Sequence, residues 1–145
     1  MQSKLATPKL LLTLAATMAL TLLAHAEGKK SKADISKLPP ASDQPGVTYG
    51  RDIKAIFDKS CIKCHGEEKQ KGKLRLDSLA AALKGGEDGK VIEPGDSANS
   101  MLVHNVARIG EEDDWMPPQD NKAKIPPLTK EQVGLIRAWI DQGAK

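Results

Sequence analysis

The sequence is poor in aromatic residues, in cysteine and in net charge. Tyr49, Phe57, Trp115 and Trp139 are its only aromatics, and Cys61 and Cys64 its only cysteines. Two cysteines cannot build the multi-disulfide framework that staples small secreted scaffolds. No stretch alternates polar and apolar residues for long enough to make a strand, which excludes a sheet-based fold and predicts an all-α domain. The formal charge is +3, but Lys4 and Lys9 contribute two of those charges within the first 26 residues, where there is no acid. The other 119 residues carry 20 Lys and Arg against 19 Asp and Glu. Nucleic acid binding, which rests on excess positive charge, loses its main support.

Large aliphatic side chains are scarce as well. Residues 27–145 hold 23 Leu, Ile, Val and Phe, close to the ~20% below which highly charged chains stay disordered. This chain is nearly neutral, so the shortage points to a small domain whose core is completed by something other than polypeptide.

The opening segment is the exception to that shortage. Twelve of the fifteen residues from Leu10 to Ala24 are apolar, and the run closes on Ala24-His25-Ala26. A basic start, an apolar stretch and an A-x-A site make an export signal cleaved after Ala26. An uncleaved anchor is the rival reading, but fifteen residues at ~1.5 Å each fall short of a ~30 Å hydrocarbon core. The expected product is a soluble, periplasmic or otherwise exported protein without stable membrane insertion. Residues 27–46, with Lys29, Lys30, Lys32, Lys37, Pro39-Pro40 and Pro45-Gly46, read as a flexible basic linker, either a spacer or a docking tail for an acidic partner.

From residue 47 onward the pattern is helical. Thr48 can cap a helix carrying Ile53, Ile56, Phe57 and Ser60 on one stripe, which runs directly into Cys61. A short helix is expected over Leu76 to Leu83, stopped by Gly85-Gly86, and another from about Ser97 to Ile109. The last has the clearest boundaries: Thr129-Lys130-Glu131-Gln132 has the form of a capping box, Gly143 is a plausible stop, and Val133, Ile136 and Ile140 make a stripe with Leu135 and Trp139 beside it.

Chemistry concentrates in Cys61-Ile62-Lys63-Cys64-His65. Two thiols two residues apart match the spacing of the vinyl groups of haem, to which each can add, and the adjacent His65 is placed to bind the iron from below. Three alternatives fit less well. A thioredoxin-type disulfide needs its first cysteine at a helix N-terminus, and here the expected helix comes before the pair. A zinc site drawing on Cys61, Cys64, His65 and His104 would force two adjacent ligands onto one tetrahedron. A structural disulfide leaves His65 unexplained. The reading is one haem c, bound covalently through Cys61 and Cys64.

A second axial ligand is sought among Met101, His104 and Met116. Met116 is preferred, because Pro117-Pro118 stiffens its loop and because a Met between the acidic run Glu111 to Asp114 and two prolines has no obvious core to fill. Met101 and His104 read as a core methionine and a surface or propionate-facing histidine, with His104 second choice for the iron. Arg75 is a candidate for a haem propionate, a solvated surface arginine being the alternative. His65 needs an acceptor for its other ring nitrogen, for which the carbonyl of Pro94 is a candidate. Trp139 is either pocket lining or helix packing.

At these residues the chain resembles a monohaem cytochrome c, and more narrowly the planctomycete-type cytochrome c domain. The order runs Cys61-x-x-Cys64-His65-Gly66, Gly72-x-Leu74-Arg75-Leu76-Asp77, Gly85-Gly86, Pro94-Gly95, Ser100-x-Leu102, Met116-Pro117-Pro118, then Trp139-Ile140 to Gly143-Ala144. The likeness covers residues 47–145. It implies a cytochrome c-like fold of three to five helices around the haem, with His65 and Met116 on iron. The function expected is electron transfer between redox partner proteins, without catalysis of its own, because both axial positions are filled. The run Glu111 to Asp114 implies an acidic rim and a basic partner. A five-coordinate haem sensor or peroxidase-like enzyme, with Met116 only structural, is the rival.

Overall fold

In a computed structural model of the chain, residues 33–145 are described. The signal expected over 1–26 and the lysines at 29, 30 and 32 lie outside the described residues. Five α-helices follow in order: α1 (Lys54–Ser60), α2 (Ile62–His65), α3 (Leu79–Lys84), α4 (Met101–Ala107) and α5 (Lys130–Asp141). Among the described residues there is no strand, only isolated bridges between His65 and Gln70 and between Gly86 and Gly89. The all-α, cytochrome c-like architecture is as the sequence implies.

The organising element is α5. Thr129 accepts from the backbone of Gln132, whose side chain bonds back to the Thr129 N–H, completing the capping box; a cap of this kind contributes ~0.5–2 kcal/mol. Its buried face presents Val133, Ile136, Trp139 and Ile140. Trp139 is fully buried against Tyr49 and Phe57, with ring centroids 6.0 and 6.1 Å away. Three of the four aromatics thus form one cluster joining α5 to α1, so Trp139 serves helix packing. The Trp139 indole and the Tyr49 backbone N–H both donate to the carbonyl of Lys145, at 3.0 and 2.7 Å.

Helix starts differ in detail from the sequence pattern. Thr48 precedes a π-helical turn, Tyr49–Ile53, and its side chain makes no cap; Asp52 instead reaches back to the Thr48 N–H at 2.8 Å. The third helix begins at Leu79 because Ser78 accepts from Ala81 N. The expected helix over 97–109 divides at Ser100 into a 3-10 turn, Ser97–Asn99, and α4.

Residues 33–46 lie differently from the loose arm their composition suggests. Ser42 N donates to the Gly134 carbonyl at 2.9 Å, Gln142 Nε2 to Gln44 O at 2.8 Å, and Arg137 to Pro39 O. The segment is a strap across α5. Beyond the 3-10 turn Ile35–Lys37, its carbonyls are acceptors for side chains of the helix beneath.

Candidate functional site

Helix α1 delivers Cys61, whose N–H bonds Phe57 O at 2.8 Å. The chain then makes one tight turn, in which Cys64 N and His65 N both donate to Cys61 O at 3.0 and 2.9 Å. That turn places Cys61, Cys64 and His65 on the wall of one cleft. Gly66 ends it, for a Cβ there would stand 2.5 Å from Ile62 O. Leu76 N donates to His65 O at 2.8 Å and the Tyr49 hydroxyl to Leu76 O at 2.9 Å, which ties the turn to the aromatic cluster.

Leu74, Leu76, Leu102, Val106 and Leu128 make the cleft apolar. Met116 lines the same cleft, with Pro117, Pro118 and Ile125. The sequence candidates Cys61, Cys64, His65 and Met116 are therefore brought together from two loops 50 residues apart.

His65 is oriented by the backbone. Its Nδ1 lies 3.1 Å from the carbonyl of Lys71. A carbonyl can only accept, so Nδ1 carries the proton and Nε2 presents a lone pair. The acceptor is thus Lys71, not Pro94. Burial foremost pushes the His65 pKa below its usual value, opposed by the backbone of Lys71 and of Leu74. Burial also pushes the Cys61 thiol up to about 12. A nucleophilic redox cysteine needs the opposite shift, so although Cys61 does precede the single turn α2, its surroundings do not make a thioredoxin-type thiolate.

The other candidates fall elsewhere. Arg75 gives its fork to Asp77, with Nε to Oδ1 at 3.0 Å and Nη2 to Oδ2 at 2.6 Å, and it is absent from the cleft wall. His104 spends Nε2 on the Ala98 carbonyl at 2.6 Å and is likewise absent from that wall. Met101 is not a core residue but an exposed one at the start of α4, on a second cleft that His65 and Met116 also line.

On the Met116 side, sequence reasoning missed two residues. Met116 N donates to Asn105 O at 3.0 Å, and Arg108, at the left-handed end of α4, donates from Nη2 to Pro117 O at 2.8 Å. Asn121 locks the following loop, donating to Pro118 O and Ile125 O and accepting from Ile125 N. The Asn105 and Arg108 bonds have no local sequence signal, since each joins segments whose approach depends on the fold, whereas those of Asn121 stay within four residues.

Residues 61–120 match the family model of the planctomycete cytochrome C. That match supports a planctomycete-type cytochrome c domain over residues 61–120. No curated protein and no solved structure matches the chain. A cytochrome c domain implies haem c and electron transfer, and the donor set fits that group: two thiols on one turn, an imidazole whose outer nitrogen is already satisfied, and a thioether on the same apolar cleft. The match begins at Cys61 and spans Met116, while Ile125 and Leu128 of the same cleft lie beyond it. No helix among the described residues is long and apolar enough to cross a membrane.

Proposed function

We propose that this cytochrome c domain is an exported electron carrier, soluble after cleavage at Ala26, with a single haem c attached through Cys61 and Cys64 and held axially by His65 and Met116. The observation that carries the reading is the meeting of these four side chains on one apolar cleft, with His65 Nδ1 committed to Lys71 O. When bound, the group supplies a one-electron Fe(III)/Fe(II) couple. The polypeptide supplies the rest. His65 offers a fixed, neutral nitrogen, and the Lys71 carbonyl raises the basicity of that ring. Met116 offers a neutral thioether, which favours the reduced form and so a relatively high potential. Leu74, Leu76, Leu102 and Val106 would shield the bound group from water. With both axial positions filled the protein has no open site for oxygen or peroxide chemistry and acts as a carrier, docking through the open edge of the cleft.

Two measurements test this. Haem should stay with the polypeptide on acid-acetone extraction; its loss sinks the reading. The ferric protein should show the sulfur-to-iron charge-transfer band, and Met116→Ala should remove it. A spectrum and potential unchanged in that variant would leave Met116 a structural residue and favour a five-coordinate haem.

A further inference from the structure

The segment carrying Met116 is gripped on both sides by one residue. The Arg108 guanidinium lies 5.5 Å from the centroid of the Trp115 ring, immediately before Met116, and its Nη2 donates to the carbonyl of Pro117, immediately after it, at 2.8 Å. Between those two contacts the Met116 N–H is fixed to Asn105 O at 3.0 Å. Asn105 and Arg108 both belong to the end of α4, so the methionine is tied to a helix rather than to its own loop. The last turn of α4 closes through Arg108, whose backbone adopts φ +56° and whose N–H returns to Asn105 O. This left-handed residue turns the chain out of the helix, and its side chain meets the loop coming back.

The arrangement has a cost. Arg108 Nε and Trp115 Nε1 are buried with no hydrogen-bond partner among the described residues. Withdrawing such donors from water is unfavourable. A lysine would avoid part of that cost but has no planar face to lay on an indole.

We infer that Arg108 is a positioning residue for Met116: by bracketing it through Trp115 and Pro117, it holds the thioether against the cleft and sets how readily another ligand displaces it. The inference rests on the reading of Met116 as the axial ligand. Holding the loop lowers the freedom the sulfur would otherwise lose on binding, so loosening it weakens the sulfur bond without removing the sulfur.

The test compares wild-type holoprotein with Arg108→Ala, Arg108→Lys and Met116→Ala, titrating each ferric protein with imidazole and recording the charge-transfer band. Arg108→Ala should bind imidazole about tenfold more tightly or better and show a weakened band, on the scale expected for losing one charge-assisted hydrogen bond. Arg108→Lys should fall between it and wild type. Gly134→Ala, which disturbs the far side of α5, should lower the melting temperature yet leave imidazole affinity unchanged, separating positioning from general destabilisation. If Met116→Ala abolishes the band while Arg108→Ala and Arg108→Lys both match wild type, the positioning role is wrong and the ligand reading stands. If Met116→Ala changes neither band nor affinity, the ligand reading fails and the inference with it. Should Arg108→Ala not fold, Arg108→Lys and Arg108→Gln carry the comparison.

Discussion

His65 Nδ1 and the carbonyl of Lys71 lie 3.1 Å apart, a side-chain to backbone contact that selects the tautomer of the ring. The loop that brings Lys71 back begins at Gly66, whose N–H bonds Lys69 O at 2.8 Å. Gly66→Ala would put a methyl group 2.5 Å from Ile62 O, so the loop must move. The expected loss is ~1–3 kcal/mol, the usual cost of overpacking. In the apo polypeptide, imidazole nitrogen NMR should show Nδ1 protonated and Nε2 bare for the wild type, and a mixture of tautomers for the variant.

Tyr49 is the chain's single tyrosine, so its titration can be read without ambiguity. Burial foremost, then the nearby charges of Asp58 and Asp77, push its pKa up to about 12. An unfolded tyrosine ionises near ~10. Between these values the unfolded chain binds fewer protons than the folded one, so stability is fully present below pH ~10 and falls as pH rises through that window. Ultraviolet titration should show phenolate appearing late, together with unfolding; a reversible midpoint near 10 in folded protein would contradict this. Tyr49→Phe removes the window and leaves Leu76 O without its buried donor, costing ~1–3 kcal/mol.

The strap over α5 depends on Gly134. A Cβ there would stand 2.7 Å from Pro40 O, whereas one on Gly50 would meet nothing within 4 Å. Gly134→Ala should therefore destabilise by ~1–3 kcal/mol, and Gly50→Ala should be neutral or stabilising by up to ~1 kcal/mol. Proteolysis between residues 33 and 46 should accelerate in the first variant alone.

Docking should respond to salt. Glu111, Glu112 and Asp113 are exposed just before the Met116 loop, on the 3-10 turn Glu112–Asp114 and its preceding residue. Electron exchange with a basic redox protein should slow as ionic strength rises, because the screening length shrinks from ~10 Å at 0.1 M to ~3 Å at 1 M. Glu111→Gln with Glu112→Gln should flatten that dependence in stopped-flow measurements. A rate indifferent to salt in the wild type would remove the acidic rim from the docking face.

A buried polar network offers a stability test away from the cleft. Asp141 accepts from Ser97 N at 2.8 Å and Ser97 Oγ at 2.9 Å, and Arg137 Nε donates to that hydroxyl at 3.0 Å. Asp141→Ala should cost ~1–3 kcal/mol by leaving the buried Ser97 N–H without its acceptor, seen as a lower urea midpoint.

The sequence by itself determined what is local. Spacing within Cys61-Ile62-Lys63-Cys64-His65, the capping box at Thr129 and Gln132, the stop at Gly85 and the apolar stripes of α1 and α5 each depend on residues within one or two turns of each other, so short-range chemistry suffices to read them. That His65 and Met116 line one cleft was legible only because each sits in a distinctive neighbourhood, not because anything in the chain measures the distance between them. Tertiary structure decided the rest. Lys71 rather than Pro94 faces His65 because the 66–73 loop folds back through backbone hydrogen bonds that no side chain announces. Arg75 turned to Asp77 because a neighbour two residues away outcompetes a more distant site, and Arg108 reached the Met116 segment because α4 ends in a left-handed turn. The strap took its place on α5 by the same logic: only the missing side chain of Gly134 leaves room for its carbonyls.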